Sequence, residues 1–270
     1  MAEYRVNVLK AKIASGGVGV IANGLNSAEI CDYLGQFGFD AAFVDFEHGA
    51  VSWADLAGIT RACDLWDMAS VVRVNRLDPA QVLRTLDQGA SAVMAPHIVT
   101  VEDAELLAKS CRYPPHGIRG VAGGRRQYGV ADYFKRADEE VMAIALIEDY
   151  EAVRNIRTLA AVDGIDVFYV APSDLAASMG HTGNPGHPDV QAAIAGAIKA
   201  ISGAGRVAGT LVNDSNVDRF LDMGVRCVGV PWMNWVASGA APFLQKVNGR
   251  KKSPAPASNS RGRPAGRKPR

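Results

Sequence analysis

Asp45, Glu47 and His48 stand in the stretch Phe43-Val-Asp-Phe-Glu-His-Gly49, where an apolar run ends in three ionisable side chains and a glycine. A buried parallel strand reads this way where it emerges at a functional face. Residues two apart on a strand share a face, so Asp45 and Glu47 point the same way. His48 follows where the strand turns into its loop, with its ring in reach of Asp45. A carboxylate that holds an imidazole in one tautomer makes a general base near neutral pH. The same cluster is also compatible with a purely structural network of strand-end charges.

Comparable strand ends recur downstream: Arg73, Pro96-His97, Glu148-Asp149, Pro172-Ser173-Asp174 and Asn213-Asp214. Glu148 and Asp174 are one strand-helix unit apart, which places them on adjacent strands facing one mouth. Two carboxylates with water and substrate oxygens suit Mg²⁺ or Mn²⁺, with Co²⁺ as a further option; the alternative is a solvated pair of loop acids. Zinc is disfavoured, because no histidine falls at normal ligand spacing from another. Arg73 alternates with Val72 and Val74. From a barrel mouth it could bind a carboxylate through both nitrogens or steady a developing enolate, or it could pair with Glu47 and order the rim. His97, His116, His181 and His187 read as loop or surface histidines.

The elements that must position these groups alternate along the chain. Strands are expected at 19–23, 39–47, 70–75, 91–98, 141–147, 165–170, 206–212 and 225–230, each followed by a helical pattern, the last over 234–247, with a short leading helix over 5–15. Ser27 is an N-cap candidate, and Asp78-Pro79 is a cap followed by proline in the first turn. Eight such units in this length predict a (β/α)8 TIM barrel over 1–248 rather than an open doubly wound sheet, and no Gly-x-Gly-x-x-Gly follows the first strand. Two segments exceed ordinary loop length: Tyr113 to Tyr128, rich in glycine and arginine, and Ala176 to Pro188. Both are expected after strand C-termini, where barrel enzymes place their sites.

The 270 residues, 48% hydrophobic, suffice for one large core. Cys31, Cys63, Cys111 and Cys227 are scattered, without a Cys-x-x-Cys pair, as in a reducing cytoplasm. No apolar signal core or membrane span is legible. The net charge of +1 hides an asymmetry: eight basic residues and no acid follow from Arg250 onward, which leaves residues 1–249 at about −7. Residues 249–270 are expected to be a disordered basic tail.

Several motifs together, in order over about residues 5–247, closely resemble the HpcH/HpaI family of class II pyruvate aldolases: Val-Asp45-Phe-Glu47-His48-Gly, Val72-Arg73-Val, Arg112-Tyr-Pro-Pro-His-Gly-Ile-Arg119-Gly-Val, Ile147-Glu148, Ala171-Pro-Ser-Asp174-Leu-Ala and Met179-Gly-His-Thr-Gly-Asn-Pro-Gly-His-Pro188. The resemblance implies a barrel of the phosphoenolpyruvate/pyruvate type, a divalent metal on Glu148 and Asp174, and His48 with Asp45 as an acid/base dyad. It implies further that Arg73 holds a pyruvate oxygen and that the backbone around Ser173 contacts the pyruvate carboxylate. The partners would be pyruvate and a small aldehyde, and the assembly a homohexamer, a trimer of dimers exchanging the last helix. One position departs from the pattern: Leu146 stands where such aldolases carry glutamine, two residues before the metal glutamate. That substitution leaves citryl or malyl thioester cleavage open as an alternative carbon-carbon lyase reaction.

Ser260-Arg-Gly-Arg-Pro264 resembles the core of an AT-hook, which enters the narrow minor groove of A·T-rich DNA. A rival reading is therefore a catalytically silent barrel that contacts nucleic acid through its tail.

Overall fold

The protein is described from a computed structural model covering residues 4–122 and 124–250. A leading helix α1 (Val8–Ala14) precedes β1 (Gly19–Asn23), and the chain continues through α2 (Ala28–Gly35), β2 (Ala41–Asp45), α3 (Trp53–Leu65), β3 (Ala69–Arg73), α4 (Pro79–Asp87), β4 (Ala92–Ala95) and α5 (Val101–Ser110). Then follow α6 (Tyr133–Glu140), β5 (Met142–Ile147), α7 (Tyr150–Arg154), α8 (Ile156–Leu159), β6 (Val167–Val170), α9 (Pro172–Ser178), α10 (Pro188–Gly203), β7 (Ala208–Leu211), α11 (Val217–Asp222), β8 (Cys227–Pro231) and α12 (Met233–Asn248). All eight strands are parallel neighbours in chain order, and β8 returns to β1 to close the barrel.

The strands read as unbroken apolar runs because both faces are covered. Inward side chains, among them Ile21, Phe43, Val71, Met94, Ile144, Leu146 and Tyr169, fill the barrel. Outward ones such as Val93, Ile147 and Val170 pack under the helices with Leu107, Leu159 and Ile198. Caps fix where several helices begin. The Ser27 hydroxyl accepts from the Ile30 N–H, the Asp78 carboxylate accepts from Ala80 N–H ahead of Pro79, and Thr100 and Asp103 form a reciprocal capping box. Each cap is worth about 1 kcal/mol.

The chain divides into two units, the barrel through Trp232 and a segment that begins at Met233. Within the latter, α12 exposes Met233, Trp235, Val236, Phe243, Leu244 and Val247. Of the expected basic tail, residues 251–270, including the Arg-Gly-Arg-Pro motif, lie outside the described residues.

Three expectations about segments change; the stretch 176–188 begins inside α9 rather than directly after β6. The stretch 113–128 does not follow a strand: α5 intervenes after β4, so the segment leaves a helix C-terminus and leads through α6 into the start of β5. Its arginines are spent on the ends of earlier helices, Arg125 and Arg126 on Asp64 and Arg119 on Asp87. It braces the end of the barrel opposite the strand C-termini. The single helix expected over 150–162 is two short ones, broken at Asn155, whose side-chain amide donates to Val99 O.

Candidate active site

The C-terminal ends of the strands enclose a cavity of about 140 Å³ lined by Ile21, Asn23, Phe43, His48, Arg73, Met94, Leu146, Tyr169, Ala171, Ser173, Asp174 and Leu211. Register builds its charged rim. Asp45 and Arg73 are Cα partners on β2 and β3, so their side chains leave the same side of the sheet. Arg73 donates through Nε to Asp45 Oδ1 at 2.9 Å and through Nη2 to Oδ2 at 2.6 Å, and its Nη1 lies 2.8 Å from Glu47 Oε2. Burial works against the Arg73 charge, but Asp45, Glu47 and Glu148 outweigh it and hold the guanidinium firmly protonated. Burial likewise opposes ionisation of Asp45, and Arg73 with two backbone N–H groups overcomes it, leaving the carboxyl below its ordinary range.

That arrangement engages Asp45 differently from the expected dyad. Its carboxylate is taken by Arg73 and by the backbone N–H groups of Glu47 and His48, while the His48 ring faces the cavity. Asp45 thus shapes the turn that carries His48 rather than gripping the imidazole.

Glu148, just beyond β5, is 2% exposed. Its Oε1 accepts the His97 N–H at 2.9 Å. Burial, with the charges of Asp174 and Glu47 adding to it, pushes its carboxyl up to about 7 from an ordinary 4.5. The oxygen donors of Glu148 and Asp174 suit a hard divalent cation. Ser173 and Asp174 sit in the first turn of α9, where the leading N–H groups have no intrahelical partner. Among the described residues no lysine lines the cavity.

His97, expected to be a loop or surface histidine, stands instead beside Glu148. Its backbone φ is +53°, a left-handed conformation uncommon outside glycine, and its Nδ1 lies 3.0 Å from Asp149 Oδ2 and 3.5 Å from Glu148 Oε1. The Asp149 hydrogen bond raises the imidazole's affinity for its proton, with Glu148 adding to it. The sequence signal was the Pro-His at a strand end, one strand away from Glu148.

Two other polar places compete with this cavity and fall short. His181 and His187, six residues apart, are brought into a stack with centroids 3.6 Å apart and 14° between planes, next to Asp189. Rings so nearly parallel cannot both direct a lone pair at one ion, and His187 Nδ1 already accepts the Asp189 N–H as the cap of α10. A roomier groove of about 660 Å³ lies along α5, α6 and residues 113–116. Several of its ionisable groups are engaged locally, Asp138 by His116 and the Tyr113 N–H, Glu105 by Lys109.

Residues 22–231 match the HpcH/HpaI aldolase/citrate lyase family. This chain belongs to that family. Among its HpcH/HpaI relatives is the hydroxypyruvate/pyruvate aldolase of Pseudomonas aeruginosa, 36% identical over 258 residues, which are 93% of this chain and 95% of that protein. Another is the 4-hydroxy-2-oxo-heptane-1,7-dioate aldolase of Klebsiella pneumoniae, 37% identical across 77% of this chain and 80% of that one. A solved HpcH/HpaI family protein from Burkholderia cenocepacia superposes with a TM-score of 0.84 at 32% identity, covering 90% of this chain and all of that one. Leu146, two residues before Glu148, is an inward residue, 3% exposed, on the wall of the cavity.

Proposed function

We infer that this chain is a class II pyruvate aldolase, which cleaves 4-hydroxy-2-oxo acids to pyruvate and an aldehyde and runs the reverse addition. The observation that carries the reading is the buried Glu148, its carboxyl pushed up by burial and by Asp174, next to the cavity that Asp174, Arg73 and His48 line. The relatives named as aldolases of pyruvate and of 4-hydroxy-2-oxo acids point the same way.

Glu148 and Asp174 would hold the divalent cation, Mg²⁺ or Mn²⁺ with Co²⁺ as a substitute. When bound, the cation supplies Lewis-acid polarisation of the 2-oxo group. The residues of the chain account for the rest. In cleavage the C3–C4 bond breaks as the 4-hydroxyl proton leaves, the aldehyde departs, and the electron pair remains as a pyruvate enolate that takes a proton at C3. Arg73, locked in position by Asp45 and Glu47, places fixed positive charge beside the developing enolate oxygen. His48 faces the cavity and moves the proton to or from the 4-hydroxyl. The backbone at Ser173 receives the carboxylate. The exposed apolar residues of α12 support the family's hexamer, since a helix bearing Phe243, Leu244 and Val247 in the open is suited to a neighbouring subunit. The basic tail would add salt-sensitive contact with polyanions and take no part in turnover.

Proton NMR of pyruvate in D₂O tests the reading without knowledge of the aldehyde. Loss of the methyl signal that requires Mg²⁺ and stops with EDTA is expected; no exchange with Mg²⁺, Mn²⁺ or Co²⁺ would overturn it.

A further inference from the structure

Two carboxylates that face one mouth repel each other, as Glu148 and Asp174 do here. A cation binds such a pair tightly only where the two are already held at the right separation. The segment that carries Glu148 is tied on both sides, through side chains that the aldolase reading leaves unused. The first tie runs to the loop after β4. Glu148 Oε1 accepts the His97 N–H at 2.9 Å, which fixes the rotation of the carboxylate, and His97 presents that N–H from a left-handed backbone, φ +53°. Glycine or asparagine adopts such a turn with less strain. A histidine there is held by its ring, whose Nδ1 lies 3.0 Å from Asp149 Oδ2. Asp149 occupies the N-cap position of α7 with the extended backbone of a cap, φ −93° and ψ 139°, yet its side chain makes no cap hydrogen bond. Aspartate at that position ordinarily accepts from the first turn of its own helix. Here the carboxylate crosses to the neighbouring loop instead.

The second tie runs to α9. The Tyr150 N–H, which opens α7 and has no intrahelical partner, donates to Ser178 Oγ at 2.9 Å. Ser178 lies four residues beyond Asp174 on α9, so the two share one side of that helix. Residues 148–150 are thereby fastened to His97 on one side and to the helix of Asp174 on the other. Stability alone would be served with less strain by an ordinary cap on α7 and a glycine at position 97. What the two ties add is a fixed relation between the carboxylates of Glu148 and Asp174.

We propose that His97, Asp149 and Ser178 are positioning residues that set how far apart the Glu148 and Asp174 carboxylates stand and how they face, so that the pair accepts a hard divalent cation without rearrangement. None of the three is itself a ligand. The inference rests on the reading of Glu148 and Asp174 as the cation's ligands.

The test is Mn²⁺ and Co²⁺ affinity by calorimetric titration, on the full-length protein and on His97→Gly, Asp149→Ala, Asp149→Asn and Ser178→Ala, with Tm in EDTA measured beside it. His97→Gly keeps the N–H and tolerates the turn, and removes only the ring. His97→Gly, Asp149→Ala and Ser178→Ala should each lower Mn²⁺ affinity by about 10–100-fold, the usual effect of removing an outer partner of a metal ligand. Asp149→Asn, whose amide oxygen still accepts from the ring N–H, should recover most of that loss. A fall in Tm with affinity unmoved would show the ties to be structural and overturn the proposal. So would Asp149→Asn falling as far as Asp149→Ala, because charge rather than position would then be at work. A loss in His97→Gly that is much greater for Co²⁺ than for Mn²⁺ would make the ring a ligand, and sinks the proposal too. Affinity that is lost in Glu148→Gln but kept in these variants refutes the positioning role and leaves the aldolase reading standing. Binding indifferent to Glu148→Gln refutes the ligand assignment, and this inference with it.

Discussion

Lowering the pH from 8 to 5 should weaken divalent-cation binding through one group, Glu148. Burial, helped by Asp174 and Glu47, moves its carboxyl from 4.5 to about 7, against the opposing pull of the His97 N–H and ring. That offset corresponds to ~3 kcal/mol. Without cation, the folded chain keeps a proton between pH 4.5 and about 7 that the unfolded chain has released. The contribution of Glu148 to stability therefore falls as pH rises through that window, by up to that ~3 kcal/mol, and is flat above it. A cation needs the ionised carboxylate, so below about 7 each binding event displaces a proton and apparent affinity drops about tenfold per pH unit. Calorimetric titration with Mn²⁺ in two buffers of different ionisation heat counts those protons: close to one at about pH 6, nearly none at about pH 8. Urea denaturation in EDTA, compared with Glu148→Gln across the same pH range, isolates the stability slope. Affinity independent of pH, or a slope identical in the Gln variant, would refute Glu148 as the buried ligand.

Arg73→Met should leave Asp45 and Glu47 facing one another without their cation and cost on the order of 3 kcal/mol, read as a fall in Tm. Arg73→Lys should recover part of that stability but little exchange activity, because an ammonium cannot reproduce the two-pronged contact. His48→Ala should lower turnover by about 10²–10⁴ while Mn²⁺ affinity stays within about twofold; a large loss of affinity would make His48 a ligand. Asp174→Asn should weaken Mn²⁺ binding and abolish Mg²⁺-dependent exchange while the circular dichroism spectrum is retained. Removing residues 249–270 should leave turnover unchanged and abolish salt-sensitive retention on DNA; loss of turnover would favour a role for the tail in the catalytic assembly.

Where a signal was local, the chain announced it. The eight strands were legible because parallel strands buried on both faces must be apolar runs, and the first, Gly19–Asn23, falls where expected. Ser27, Asp78 and Thr100 mark helix starts because their side chains reach only two or three residues ahead. Helix α6 escaped notice because its sequence, Tyr133 to Glu140, is mostly charged. Only Tyr133 and Ala137 are buried in it, the former against Tyr4 and Tyr113. The misplacement of 113–128 came from assigning the segment to the end of strand four although the helix after that strand, α5, stands between them.

The sequence by itself determined the barrel, the set of acids and cations at strand ends, and the family, since each rests on residue types at fixed spacing. The tertiary structure alone decided who pairs with whom. Strand register hands Asp45 to Arg73 instead of to the His48 ring, and a left-handed turn at His97 turns its N–H onto Glu148. Closure of the barrel carries the Tyr169 hydroxyl across to Gly229 and Asn23, residues far away in the chain. Spacing along a strand fixes which face a side chain takes, but only the closed sheet fixes what lies opposite.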